Sequence, residues 1–108
     1  MNQKQLACQR NQNARLYQCP KSNLPRQRNC LHFGSGDFEH ELRKFYLCWA
    51  AHVLGHEWVT EARGKDGNIR DFVDLDTGAN VEVETDKKRS ERFKGTPVKV
   101  WEVWDETH

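Results

Sequence analysis

The sequence predicts a small α+β domain preceded by a basic amino-terminal arm. Apolar residues recur at helical spacing between residues 38 and 53. From residue 57 onward the apolar period changes to two and is broken by glycine-containing turns, which is typical of antiparallel strands. Residues 1–36 hold six basic residues and no acidic one, whereas the rest of the chain holds eleven basic and sixteen acidic residues. The expected order after the arm is helix, three-stranded meander, helix and strand.

Length and composition favour one folded unit. The chain has 108 residues, of which 36% are hydrophobic and 31% are charged, so we expect a single domain with a thin core. Residues 1–30 include eleven Asn or Gln. Such a segment buries too little apolar surface to offset chain entropy unless a metal or a partner helps. We therefore divide the chain into a basic arm, residues 1–36, and a folded domain, residues 37–108.

The arm contains three cysteines and a histidine that are suited to a metal. Thiolate and imidazole side chains of this number suffice for one tetrahedral Zn²⁺. The arm has no close Cys-x-x-Cys knuckle, so free thiols are the alternative. The arm is therefore a candidate zinc-binding segment, and a zinc-stapled interaction module is one function to consider. The four candidate zinc ligands are Cys8, Cys19, Cys30 and His32.

The first predicted helix follows a flexible Gly-Ser-Gly joint at residues 34–36. Asp37 is a suitable N-cap, and acidic residues in the first turn interact favourably with the helix dipole. Gly55 is expected to end the helix. The apolar residues form one broad face, which we expect to cover the apolar face of the sheet. This face comprises Phe38, Leu42, Phe45, Tyr46, Trp49 and Val53.

Strands and a second helix are predicted in the carboxy-terminal half. Tight turns at residues 65–68 and 76–79 join the first three strands into a meander. A short, strongly basic helix is expected over residues 86–95, where Asp86 is a suitable cap. The predicted strands are residues 57–63, 69–75, 80–85 and 98–104.

Several acidic residues of the second and third strands are expected to cluster. Glu82 and Glu84 share the strand face opposite the valines. A two-residue turn would place Asp71 opposite Glu84, with Glu82 on the same face. A bulge at the turn would instead bring Asp74 to the glutamates. Clustered carboxylates raise one another's pKa, and oxygen ligands favour Mg²⁺ or Mn²⁺, so a divalent-metal site is predicted here.

With Asp71 on the second strand and Glu82 and Glu84 on the third, residues 37–104 resemble the PD-(D/E)xK nuclease superfamily, whose core is restriction-endonuclease-like. The resemblance implies that Asp71 and Glu82 hold Mg²⁺. Glu84 stands where the superfamily usually has a lysine, and it is expected to orient or deprotonate a water or to hold a second ion. Glu41 matches the position of an auxiliary acid on the first helix.

Within this superfamily, the chain resembles the CoiA-like competence nucleases, in which a cysteine-containing module precedes the nuclease helix. The second cysteine of that module is absent here, because Lys21 and Ser22 follow Pro20. The residues that carry the resemblance are Tyr17-Gln18-Cys19-Pro20, Cys30, His32-Phe33, His40 and Lys44.

These resemblances imply an endonuclease that hydrolyses phosphodiester bonds of DNA through a carboxylate-bound Mg²⁺ or Mn²⁺. A catalytically inactive nuclease-fold protein that binds nucleic acid is the alternative, because the usual lysine is missing. Phosphate contacts are expected from the second predicted helix and the arm, since each neutralised phosphate releases condensed counterions. The candidate residues on that helix are Lys87, Lys88, Arg89 and Arg92.

The sequence favours a cytoplasmic, intracellular protein. It contains no run of about 20 apolar residues and no apolar signal segment, so no membrane is expected among its partners. The sequence leaves open whether the chain forms a homodimer.

Overall fold

The computed structural model describes residues 1–34, 37–84 and 99–102, the last of these as backbone. Helices and a four-stranded sheet make up an α+β fold, as expected. Neither of the described helices is long and apolar enough to cross a bilayer. The basic helix predicted at residues 86–95 lies outside the described residues. The elements are α1 (Gln3–Ala14), α2 (Phe38–Val53), β1 (Trp58–Arg63), β2 (Ile69–Asp74), β3 (Asn80–Glu84) and β4 (Lys99–Glu102).

The sheet has the strand order β1-β2-β3-β4. The first three strands form the predicted antiparallel meander, and β4 runs parallel to β3. Phe72 of β2 pairs with Val81 of β3, and Val73 pairs with Asn80. This register is shifted by two residues from the predicted one, so Asp71 lies opposite Glu82.

The register shift originates in the turn between β2 and β3. Asp74 N donates to Ala79 O at 2.9 Å, so the loop consists of residues 75–78 rather than two residues. The Asp74 carboxylate stabilises the longer loop by accepting hydrogen bonds from the backbone N–H groups of Asp76 and Thr77. Gly78 closes the loop with a φ of +79°, in the left-handed region that glycine adopts without strain.

Residues 1–34, most of the predicted basic arm, pack on the sheet. Asn2 caps α1, and Arg10 then forms an ion pair of 2.7 Å with Asp76 beyond β2. Tyr17 is buried in one core cluster together with residues of β1 and β2, among them Val59 and Val73. No α1 residue is fully buried and Ala14 packs only partly against the core, so polar contacts contribute much of what holds this helix. Amino-acid composition does not predict this packing, because the contacts join residues that are far apart in sequence.

Helix α2 begins where predicted but presents the opposite face to the sheet. The Asp37 carboxylate accepts a hydrogen bond of 2.9 Å from His40 N, which confirms the predicted cap. The buried residues of α2 are Lys44, Cys48 and Ala51, and the last two join a second core cluster with Trp58 and other residues. The predicted apolar face is exposed instead. The part of the sheet below the first half of α2 carries acidic side chains, and Lys44 of α2 faces them.

Candidate functional site

Charged side chains occupy the space between α2 and the sheet. Lys44 is completely buried, and Asp71 and Glu82 are at least nine-tenths buried. Charged groups rarely lie inside a small domain unless they are paired or bind an ion, because losing their hydration is costly. We define the charged cluster as His40, Glu41, Lys44, Glu61, Arg70, Asp71 and Glu82.

Lys44 joins two acids of the charged cluster. Its Nζ lies 2.7 Å from Glu41 Oε2, one turn earlier on α2, and 2.8 Å from Glu61 Oε1 on β1. A buried ammonium between two carboxylates keeps its charge compensated. Lys44 therefore fixes Glu61 and Glu41 against the sheet-facing side of α2.

Glu61 has an unusual backbone conformation that belongs to this arrangement. Its φ is +47°, a left-handed value that costs a non-glycine residue of order 1–3 kcal/mol. β1 pairs with β2 in the same register before and after Glu61, so the unusual backbone angle is not a β-bulge with an inserted residue. The segment before α2 closes over the carboxylate, because a Cβ on Gly34 would lie 2.7 Å from Glu61 Oε1. Sterically strained residues of this kind concentrate at functional sites.

Asp71 makes contacts with both α2 and β3. Its Oδ1 lies 3.3 Å from His40 Nε2, and its Oδ2 accepts a hydrogen bond of 2.8 Å from Val83 N. Burial opposes ionisation of Asp71, but the hydrogen bond and charge of His40, with further hydrogen bonds from Glu82 and Val83, lower its pKa. The same contact with Asp71 raises the pKa of His40 against the effect of burial. Asp71 is therefore an ionised, firmly oriented carboxylate.

Glu82 has the opposite electrostatic environment. Burial first, and then the negative charge of the adjacent Asp71, raise the pKa of Glu82 from 4.5 to about 9. Its Oε1 is buried and has no hydrogen-bond partner in the described part of the chain. The nearest described cation is Arg70, whose Nη1 lies 3.8 Å away and whose Nη2 is held by Asp66 at 2.7 Å. Asp71 and Glu82 thus share one site, with one proton held on Glu82 at neutral pH.

A metal ion has suitable donors next to this pair. His40, Glu61 and Asp71 each offer one ligand atom, and these atoms lie within 4.8 Å of one another. No other such group of three occurs among the residues that the structure describes. Two carboxylates and one imidazole suit Mn²⁺, and carboxylates with water suit Mg²⁺.

The structure brings some of the five predicted carboxylates together and separates others. Asp71 and Glu82 meet, while the alternative residue Asp74 lies apart and binds His56 Nδ1 at 2.7 Å. Glu84 is buried on β3, but it does not lie opposite Asp71 as the predicted register required. Glu41 belongs to the cluster and contacts Lys44 together with the backbone N–H of Gly34.

The predicted zinc ligands are not brought together. Cys8 is exposed on α1, and the Cys19 thiol donates to Pro25 O at 3.5 Å. The His32 ring lies 3.3 Å from the Thr60 hydroxyl, and Cys30 remains a free thiol. None of these four residues belongs to a metal-type group in the described residues.

The predicted phosphate-binding residues Lys87, Lys88, Arg89 and Arg92 lie outside the described residues. A different basic surface is described at the end of β1. A cavity of about 380 Å³ there is lined by Arg15, Arg63 and Lys65, among other residues. The Arg63 guanidinium is held in place by neutral oxygens, including Ser22 O at 2.9 Å and Asn23 Oδ1 at 3.1 Å.

Four residues of the charged cluster were not assigned to a site from the sequence. His40 and Lys44 were named only for the resemblance to the CoiA-like nucleases. They are four residues apart on one side of α2, a spacing that could have indicated a polar face opposite the aromatic one. Arg70 and Glu61 gave no comparable signal. The unusual backbone of Glu61 cannot be read from residue type.

Comparison with protein-family models, with curated proteins and with solved structures finds no match to this chain. The charged cluster itself therefore carries the functional argument.

Proposed function

We propose that this chain is a divalent-metal-dependent nuclease that hydrolyses phosphodiester bonds of DNA. The observation that carries the proposal is the buried contact between Asp71 and Glu82. Asp71 is ionised, whereas Glu82 has a raised pKa and an oxygen, Oε1, with no hydrogen-bond partner among the residues that the structure describes. Such a pair gains stability when a cation neutralises it.

The donor set fits Mg²⁺ or Mn²⁺. In this proposal Asp71 and Glu82 hold the ion. The described donors already within 4.8 Å of one another are those of Asp71, His40 and Glu61, so Glu82 moves toward this group when the ion binds. When bound, such an ion lowers the pKa of a coordinated water and stabilises negative charge on a phosphate. Binding requires Glu82 to lose its proton, because only the ionised carboxylate is a good ligand.

The other residues of the charged cluster position these ligands. Lys44 holds Glu61 through its 2.8 Å ion pair, and the hydrogen bond from Val83 N orients Asp71. The superfamily usually has a lysine at the position of Glu84. In this chain Lys44 supplies a cation at the site instead. In this proposal Glu84 orients or deprotonates the attacking water, and Glu41 supports the site through Lys44.

A restriction-endonuclease-like core of the PD-(D/E)xK kind is part of the proposal. The order of α2 and three antiparallel strands, with the aspartate on the second strand and the glutamate on the third, supports it. Contacts with DNA phosphates are proposed for the basic residues 87–92 and for the cavity formed by Arg15, Arg63 and Lys65. Cationic contacts of this type weaken steeply as salt concentration rises.

The test is cleavage of labelled DNA by the purified chain with Mg²⁺, with Mn²⁺ and with a chelator. Asp71→Asn and Glu82→Gln are expected to reduce the rate about a hundredfold or more, while DNA affinity at low salt is kept. Glu57→Gln, which changes an acid outside the charged cluster, is the matched control and keeps the rate.

The absence of cleavage by the unaltered chain with either ion would overturn the nuclease assignment. Salt-sensitive DNA binding in that case would support the inactive nucleic-acid-binding protein. Glu84 in place of the usual lysine is the observation that favours this alternative. Cleavage that persists in Asp71→Asn would also overturn the proposed site.

A further inference from the structure

A cavity lies where the end of β1 meets the segment that follows α1. Its volume is about 380 Å³, which falls in the range of roughly 300–1,000 Å³ that is usual for small-molecule sites. Three of the side chains that line it are cations. Arg15 caps the carboxy-terminal end of α1, Arg63 is the last residue of β1, and Lys65 lies in the turn after it. We call this feature the basic cavity.

Backbone hydrogen bonds join the two chain segments that form the basic cavity. Gln18 N donates to Arg63 O at 2.9 Å, and Arg63 N donates to Gln18 O at 2.8 Å. Both residues also line the cavity, although they are far apart in sequence. The cavity is therefore formed before a ligand binds, which lowers the entropy cost of binding.

The Arg63 guanidinium is oriented by neutral groups. Its Nε donates to Cys19 O at 3.3 Å. Its Nη2 donates to Gln18 Oε1 at 3.1 Å, to Ser22 O at 2.9 Å and to Asn23 Oδ1 at 3.1 Å. Neutral oxygens fix the direction of a guanidinium without neutralising its charge, and Nη1 carries two further N–H donors. Arg63 is therefore a positioned cation with donors beyond those that hold it.

The acidic residue next to Lys65 is compensated by another cation. Asp66 Oδ2 lies 2.7 Å from Arg70 Nη2, and Asp66 Oδ1 accepts a hydrogen bond of 2.9 Å from Asn68 N. The hydrogen bond from Asn68 first, and then the charge of Arg70, lower the pKa of Asp66 against the effect of burial. The cations of the basic cavity are therefore not required to compensate Asp66.

The charge of the basic cavity matches a phosphomonoester. A phosphomonoester carries about −1.5 to −2 elementary charges at pH 7 and has three strong acceptor oxygens. A phosphodiester inside a strand carries a single charge. Two guanidinium groups and one ammonium group supply three positive charges, and guanidinium groups bind phosphate oxygens in pairs. Leu16, which is 42% exposed and also lines the cavity, offers apolar surface to the nucleoside part of such a ligand.

We propose that the basic cavity binds the phosphomonoester group of a nucleotide, supplied by a free mononucleotide or by the phosphorylated end of a DNA strand. The strand end as a source rests on the proposed function, whereas phosphomonoester binding itself does not. Arg63 lies two residues after Glu61 on β1, so their Cα atoms are at most about 7 Å apart. A strand end held in the basic cavity therefore lies close to the charged cluster.

The test is calorimetric titration of the full chain with thymidine monophosphate in the presence of EDTA. The chelator ensures that neither cleavage nor a metal ion at the charged cluster contributes. Thymidine, which lacks the phosphate, is the reference ligand. The monophosphate is expected to bind at least about tenfold more tightly than thymidine. Equal binding of the two ligands, or no binding of the monophosphate, would overturn the proposal.

Two substitutions locate the bound phosphate. Arg15→Gln and Lys65→Gln each remove one cation from an exposed position, where the fold tolerates the change. Each is expected to weaken binding of thymidine monophosphate about tenfold, because a charge-assisted hydrogen bond is lost. Lys4→Gln removes an exposed cation near the other end of α1 and is the matched control. Unchanged affinity in both Arg15→Gln and Lys65→Gln would also overturn the proposal.

Short thymidine oligonucleotides distinguish the two sources of the phosphate. Oligonucleotides with a 5′-phosphate, with a 3′-phosphate and with two hydroxyl ends are compared in EDTA. Tighter binding of a phosphorylated oligonucleotide would support strand ends as the ligand. Equal binding of all three, together with binding of the monophosphate, would support free nucleotides. A chain that binds the monophosphate but never cleaves DNA would support this inference and overturn only the proposed function.

Discussion

Replacing Glu82 by glutamine tests the electrostatic description of the site without any metal. In the unfolded chain Glu82 loses its proton near its ordinary pKa of 4.5, whereas in the folded chain it keeps the proton up to a pKa of about 9. Between these pH values unfolding releases a proton. The free energy of unfolding therefore falls by about 1.4 kcal/mol for each unit of rising pH. At pH 7 roughly 3 kcal/mol of the stability present at pH 4.5 has been lost.

Glutamine resembles the protonated acid in shape and hydrogen bonding but does not titrate. Glu82→Gln is therefore expected to match the unaltered chain near pH 4.5 and to exceed its stability by about 3 kcal/mol at pH 7. His40 also has a raised pKa, so its stabilising contribution is complete below 6.5 and is lost as pH rises through the folded value. Both chains keep that contribution, and only the difference between them reports on Glu82.

The assay is urea unfolding followed by tryptophan fluorescence at pH 5, 6, 7 and 8, at one protein concentration. Glu57→Gln serves as the control, since it replaces a carboxylate outside the charged cluster by the same amide. Parallel stability curves for the unaltered chain and Glu82→Gln across this range would refute the raised pKa of Glu82.

Two further substitutions test the contacts that hold the site and the first helix. Lys44→Met should lower the free energy of unfolding by about 3 kcal/mol, because both glutamate partners lose their buried cation. The same change at the exposed Lys4 should stay within about 0.5 kcal/mol, and equal effects in urea unfolding would contradict the burial of Lys44. Arg10→Gln should cost about 1–2 kcal/mol and speed amide hydrogen exchange in α1, because its ion pair with Asp76 is largely sheltered from water. Exchange in α1 that is no faster than in Arg15→Gln would show that this ion pair does not hold the helix.

Local features of the fold could be predicted from the sequence. The cap at Asp37 and the three strands of the meander follow from side-chain chemistry within a few residues. The turn after β2 could not be predicted, since its length depends on how the Asp74 carboxylate holds the backbone N–H groups of the loop. That loop shifts the register by two residues and decides that Asp71 meets Glu82.

The orientation of α2 is the largest difference from the sequence-based expectation. Hydrophobic periodicity identifies an apolar face but not what that face covers, and here it faces away from the sheet. Lys44 is buried because Glu61 and Glu41 compensate its charge, and Glu61 reaches it from a distant strand through an unusual backbone angle. Pairings between distant residues of this kind leave no periodic signal in the sequence.

The most direct measurement is calorimetric titration of the chain with Mn²⁺ at pH 7 in two buffers of different ionisation enthalpy. The charged cluster predicts binding accompanied by release of about one proton, because Glu82 must ionise to bind the ion. It also predicts that Asp71→Asn abolishes binding while Glu57→Gln preserves it. Absence of binding by the unaltered chain, or equal binding by Asp71→Asn, would contradict a divalent-metal site formed by Asp71 and Glu82.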